Sequence, residues 1–182
     1  MKRLLIVSLC FVFLVGCFPR NMKYDLSNAL QPATLRYSFN TQPPNLKEQS
    51  KCNTAEVSII IINAEKRSTD VSIARGWYIN SQTITGMMVD YLKDAYRQCR
   101  ILHNQESGKV IALSFQKIEG YIRFNSGATL QINVTIPEKN ITIPFVITQT
   151  TMDLHNAVAY AIHDVSWQII NDPTIQDYIL CR

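Results

Sequence analysis

Apolar and polar positions along this chain follow two periods, and the periods mark its elements. Val57-Ser58-Ile59-Ile60-Ile61-Ile62 is a β-branched run of strand length. Its nearly continuous apolarity predicts a strand covered on both faces, or nearly so. Val71 to Ile79 is predicted as one further strand, with Arg75-Gly76-Trp77-Tyr78 inside it. From Thr83 to Cys99 the period becomes helical. Ile84, Met88, Tyr91, Leu92, Ala95 and Cys99 share one side, and Asp90, Lys93, Asp94 and Arg97 take the other. Asn80 or Ser81 can cap that helix. Alternation returns over Val110 to Ile118, through Ile111, Leu113 and Phe115, and the strand can run on to Phe124. Leu130, Ile132, Val134 and Ile136 then alternate with Gln131, Asn133 and Thr135. After the turn Pro137-Glu138-Lys139-Asn140, the residues Ile141, Ile143, Phe145 and Ile147 alternate again. Two period-two runs around a short turn are a hairpin signal. Pro144 cannot donate a ladder hydrogen bond, which puts the second of those strands at a sheet edge.

The remaining elements are helical or irregular. Asp153 caps a last long helix with the stripe Leu154, Val158, Ala161, Ile162, Val165 and Ile169. Trp167 is off that stripe and is expected to pack under the terminal segment. Asp172-Pro173 then starts a short helix over Thr174 to Leu180. Leu35 to Phe39 suits a short strand, and Asn40 to Thr54, with Pro43-Pro44, reads as a loop. Strands, a helix, three strands and a helix predict an α+β fold: a largely antiparallel sheet with two amphipathic helices packed on one face.

The first seventeen residues break this pattern. Met1-Lys2-Arg3 is followed by the uncharged run Leu4 to Leu14, and the stretch closes on Leu14-Val15-Gly16-Cys17. A basic start, a short apolar run and a small residue before the break describe a secretory signal. The run is short of the roughly 20 apolar residues that a bilayer span needs. Its ending resembles the lipobox of bacterial lipoproteins. That resemblance implies cleavage before Cys17 and acylation of Cys17 on sulfur and on the new amine. The next residue is Phe18, not the Asp that favours inner-membrane retention in enterobacterial lipoproteins, so the implied address is the periplasmic face of the outer membrane. The domain organisation that follows is 1–16 as signal peptide, 17–34 as a lipidated flexible tether, and 35–182 as a single α+β domain.

Composition adds limits. The net charge of +4 falls to +2 when Lys2 and Arg3 leave with the signal. So weak a basic balance gives no argument for nucleic acid as a partner. Five cysteines reduce to Cys52, Cys99 and Cys181 once Cys10 is cut away and Cys17 is acylated. An oxidising periplasm favours a disulfide among them, and their spacing is not that of a zinc site. If strand 57–62 runs up, the helix after it runs down, and so does the last helix. All three sulfurs then gather at one end of the domain. Cys99 has an alternative as a small core residue on its helix stripe, whereas Cys181 has a tail to pin. Cys52–Cys181 is therefore favoured, with Cys52–Cys99 close behind.

Catalytic signatures are not found. The six glycines form no phosphate-cradling pattern, and no Gly-x-Ser-x-Gly elbow occurs. His155 and His163 stand nearly two turns apart on the last helix, too far for one metal ion, and read as a solvated flank. His163 and Asp164 point about 100° apart on a helix and are not expected to form a catalytic pair. No catalytic residue, metal ligand or cofactor site is assigned. Arg75, Trp77 and Tyr78 form a candidate partner-binding surface, because such residues anchor interfaces. The competing expectation is that Trp77 fills the core.

The lipobox, the order strand–helix–three strands–helix, and the finish Ile169-Ile170-Asn171-Asp172-Pro173-Thr174-Ile175-Gln176-Asp177-Tyr178-Ile179-Leu180 together resemble YajG-type periplasmic lipoproteins. The layout is also similar to the LPS-assembly lipoprotein LptE and to auxiliary lipoproteins of lipid ABC transporters. The resemblance implies no catalytic positions. The expectation is a non-enzymatic binding or assembly factor, tethered to the membrane and facing an envelope protein or a lipid-like or glycolipid ligand. The alternative is a periplasmic enzyme or peptidoglycan-acting factor.

Overall fold

The computed structural model describes residues 23–28, 30, 46–49, 57–103 and 108–181. Eight strands and three helices follow one another in these residues: β1 (Tyr24–Asp25), β2 (Ser58–Asn63), β3 (Asp70–Ala74), β4 (Trp77–Asn80), α1 (Ser81–Gln98), β5 (Leu102–His103), β6 (Lys109–Ile122), β7 (Ser126–Ile136), β8 (Ile141–Thr151), α2 (Leu154–Asn171) and α3 (Pro173–Ile179). The fold is α+β, as the pattern predicts.

The strands form two sheets, ordered β5-β2-β6-β7-β8 and β1-β4-β3. The long ladders of the main sheet, β6 with β7 and β7 with β8, are antiparallel. β2 pairs in parallel with both β5 and β6, and α1 forms the crossover between β2 and β6. α1 packs on β2 and β6, α2 packs on β7 and β8, and the helices touch each other, so both cover one face. The buried side of β7 is Ala128, Leu130, Ile132, Val134 and Ile136, the alternation read in its sequence. In β6 a bulge between Phe115 and Lys117 switches the inward set from Ile111 and Leu113 to Ile118. β8 is the outer strand, so Pro144 removes no bond from the sheet interior.

The other sheet face carries no described helix. There Thr135 bonds Thr142 at 3.1 Å and Thr129 bonds Thr148 at 2.8 Å across the β7–β8 ladder. β2 shows the consequence. Ile59 and Ile61 are buried, but Ile62 is exposed and Ile60 half-buried, so β2 is covered on one face rather than two. Its continuous apolarity reflects β-branched preference on both faces, not burial on both.

Three other expectations change. The predicted strand 71–79 is a hairpin: β3 and β4 meet at a tight turn where Gly76 has φ of 80°, a conformation that favours glycine. Part of the segment read as a tether is folded. Tyr24–Asp25 pairs in parallel with β4, and Leu26 and Leu30 are buried, two apolar residues one helical turn apart in a polar context. The described fold therefore begins by Lys23. Trp167 lies exposed on α2 rather than buried under the terminal segment. The predicted strand 35–39 lies outside the described residues. Within the predicted loop 40–54, Leu46–Gln49 is a 3-10 turn whose Leu46 is buried and donates its N–H to the Cys99 carbonyl at 3.2 Å.

Helix ends follow the predicted chemistry. The Asn80 side chain accepts from the N–H groups of Gln82 and Thr83, Asp153 accepts from Asn156, and Asp172 accepts from Ile175 ahead of Pro173. Tyr178 on α3 accepts from the Val110 N–H at 2.9 Å, and the ammonium groups of Lys109 and Lys139 lie over its ring. This closes the end of the domain at which α1 and α2 finish. No helix among the described residues is long and apolar enough to cross a membrane.

Candidate functional site

Among the described residues, the β3–β4 hairpin builds the site that combines aromatic, charged and open character with residues singled out in the sequence. The turn Arg75-Gly76 exposes both residues. The Tyr24 N–H donates to the Gly76 carbonyl at 2.7 Å, which lays β1 beside β4. The Tyr24 ring then stacks on Trp77, with centroids 4.8 Å apart and planes 22° from parallel. Asp70 and Ser72 come from β3, Tyr78 from β4 and Lys23 from the chain entering β1. With Gly76 and Trp77 they line a cleft of about 340 Å³. Trp77 is half-buried: it packs against the core with one part and lines the cleft with another. The expectation that Trp77 fills the core is met only in part. Arg75 is at the turn beside the cleft and does not line it.

The frame under the cleft is fixed by Asn80. Its side chain caps α1 and donates to Asp70 Oδ1 at 3.1 Å and to Ser68 Oγ at 2.6 Å, while its backbone N–H donates to Ser27 Oγ at 3.2 Å. One residue thus ties the cleft's acid, the helix start and the β1 segment together. Chemically, the cleft presents two aromatic faces with one cation and one carboxylate. That suits a flat or apolar group carrying a small polar or charged part. Among the described residues its lining supplies no thiol or imidazole to assist the Ser72 hydroxyl.

A second polar cluster joins the helices to β8. His163 Nδ1 and Asp164 Oδ1 lie 2.8 Å apart, contrary to the expectation that helical neighbours diverge. Both side chains are long enough to bend towards each other at the half-exposed surface of α2. Gln149 donates to the other Asp164 oxygen, and the Tyr91 ring meets His163 edge-on at 5.8 Å. Burial, and then the Asp164 charge, hold the Tyr91 phenol well above its usual range. The cluster links an imidazole, a carboxylate and a phenol ring, and it reads as a clamp between α1, α2 and β8. Among the described residues no group of three His, Cys, Asp or Glu side chains could hold a metal ion.

The thiols separate by role. Cys99 is free and buried at the end of α1, and burial pushes its thiol up to about 11. A Cys52–Cys99 bond is therefore not the one this structure holds. Cys181 is disulfide-bonded. Cys52 and Cys17 lie outside the described residues. The sequence reading missed Lys23, which lines the cleft, and Tyr24, which stacks on Trp77 beside it. The only available signal was an aromatic in an otherwise polar segment.

No family model and no curated protein matches this sequence. Among solved structures, the crystal structure of a Xanthomonas campestris protein described as DUF330 is similar over 80% of this chain and 92% of that one, at 15% identity and a TM-score of 0.46.

Proposed function

We propose that this protein is a lipoprotein of the bacterial envelope, anchored through Cys17 to the periplasmic face of the outer membrane, whose folded domain is a non-enzymatic binding or assembly factor. Its partner is an envelope protein complex or a lipid-like ligand, of the kind served by YajG-type, LptE-like and transporter-auxiliary lipoproteins. The observation that carries the reading is the placement of the cleft. Trp77 and Tyr78 line it, and Lys23, six residues after Cys17, forms its edge. A binding surface at the point where the chain leaves for its anchor is suited to handling something held at the membrane. The competing reading, a periplasmic enzyme or peptidoglycan-acting factor, draws on the His163–Asp164 pair.

The test is photo-crosslinking in intact cells. A photoreactive residue at Tyr78 should give an adduct of defined mass, identified as an envelope protein or a lipid, that is absent from the same residue placed at Asp177. No adduct at Tyr78, or the same adducts at both positions, would count against the cleft as the binding site. Loss of an activity on periplasmic substrate in His163→Ala would favour the enzyme instead.

A further inference from the structure

The main sheet is not even in height. β2 makes its last pair with β6 at Asn63 and Leu113, yet β6 runs on to Ile122. The nine further residues extend roughly 30 Å past the end of β2 at about 3.3 Å per residue, with β3 and the start of α2 covering the core side of the stretch. β7 and β8 go with it, ending with Ser126 paired to Thr151. Four large side chains crown this tongue: Tyr121 is 43% exposed, Ile122 49%, Phe124 99% and Met152 90%. Arg123 sits among them, its guanidinium 6.0 Å from the Tyr121 ring.

The tongue has a built stem. The Tyr121 ring covers Gly127 across the ladder: a Cβ at Gly127 would meet its ring carbons at 2.5 Å. The Tyr121 hydroxyl bonds Thr150 at 3.2 Å. On the core side, Ile73 and Leu154 press on Gly120. The apolar crown is therefore held up by a packed stem rather than being a loose loop.

The chain's entry lies at the same end. Ile73 sits beside Gly120, two residues below Ile122. Ala74 pairs with Trp77, and Trp77 pairs with Tyr24. Lys23 and the Arg75-Gly76 turn thus stand near the level of the crown. Six residues of chain reach at most about 20 Å. An acyl group on Cys17 would hold this end, and not the end where α3 closes the fold, against the bilayer. Lys23, Arg75 and Arg123 add three cations on that side, suited to anionic headgroups. Phe124 is fully exposed, and a lipid interface accepts such an apolar tip without a complementary shape.

We propose that the β6–β7 tip, from Tyr121 to Phe124 together with Met152, seats in the headgroup region of the bilayer that carries the Cys17 anchor. The domain then has two membrane contacts, acyl chains and tip, and its orientation is fixed with the Trp77–Tyr78 cleft facing the lipid surface. This rests on the lipoprotein reading of Cys17, which can be checked separately.

The experiment uses the full acylated chain reconstituted into phosphatidylethanolamine–phosphatidylglycerol vesicles with and without brominated acyl chains. Phe124→Trp places a reporter at the tip, and Asp177→Trp places one on α3. After subtraction of the wild-type signal, the tip reporter should lose most of its emission in brominated vesicles and the α3 reporter should lose none. Vesicle-bound protein whose tip reporter is unquenched overturns the proposal. So does a blue shift of the tip reporter that is the same in detergent, since that marks contact with protein or a second copy. Incorporation of labelled palmitate, lost in Cys17→Ser, reads the anchor on its own. Unlabelled protein with a quenched tip reporter would remove the anchor and leave the tip standing.

Discussion

Gly120→Ala tests whether the cleft hairpin is held against the main sheet by close packing. A Cβ there would lie 2.6 Å from Ile73 Cγ2, 2.9 Å from Leu154 Cδ1 and 2.9 Å from the Gly127 carbonyl oxygen. The side chains can give, but the carbonyl belongs to the β6–β7 ladder and cannot move without disturbing it. Overpacking of this kind costs about 1–3 kcal/mol. Removing a glycine from a strand returns about 0.5–1 kcal/mol by lowering the unfolded chain's entropy. The net expectation is a loss of about 1–2 kcal/mol. Gly86→Ala is the control, because it lies within α1 and its nearest neighbour to an added Cβ is Asn63 Nδ2 at 3.8 Å. It should stabilise by up to about 1 kcal/mol. Urea denaturation of both variants beside the wild type reads the difference. Gly120→Ala as stable as the wild type, with Gly86→Ala behaving as expected, would refute the close approach of β3 to β6.

Other outcomes follow from burial and protonation. Ile132→Asp sets an unpaired charge under α2, at a cost of several kcal/mol, and should prevent stable folding. Thr135→Asp on the opposite face should remain folded by circular dichroism. Cys99 should resist alkylation in the native protein, since a buried neutral thiol is a poor nucleophile, and should react once denatured. Its thiol is raised from 9 to about 11, so the folded state holds the proton more tightly than the unfolded chain. Stability from this source is whole below pH 9 and is lost as pH rises through 11. The buried phenol of Tyr96, raised chiefly by burial, acts in the same sense. A urea midpoint that climbs over that window would contradict both. We further expect Cys181 to be bonded to Cys52, which non-reducing peptide mapping of the mature protein decides. Opening that loop by reduction should cost about 2–4 kcal/mol.

Most of the fold was legible because periodicity reports burial directly. β7 and β8 alternate cleanly, and α1, α2 and α3 carry their capping residues in sequence. The hairpin turn at Gly76 was hidden because apolar and polar residues run through Arg75-Gly76 without a break in composition. Coverage of β2 was misread for a related reason: isoleucine on an open sheet face looks like isoleucine in a core. The cleft was half legible. Trp77 and Tyr78 stood out as residue types, whereas Lys23 reaches the cleft, and Tyr24 the Trp77 ring, through a parallel pairing 53 residues away in sequence, which no local pattern encodes. The His163–Asp164 contact depends on side-chain rotamers, and the exposed tip on where two long strands end.

The central claim is that a lipid on Cys17 fixes this domain at a membrane. Intact-mass measurement of the protein extracted from the membrane fraction tests it most directly. The account predicts an amino terminus at Cys17, with the amino-terminal peptide heavier than its sequence by a diacylglyceryl group and an amide-linked acyl chain, and that mass confined to this peptide. A chain that begins elsewhere, or begins at Cys17 with no added mass, would contradict it.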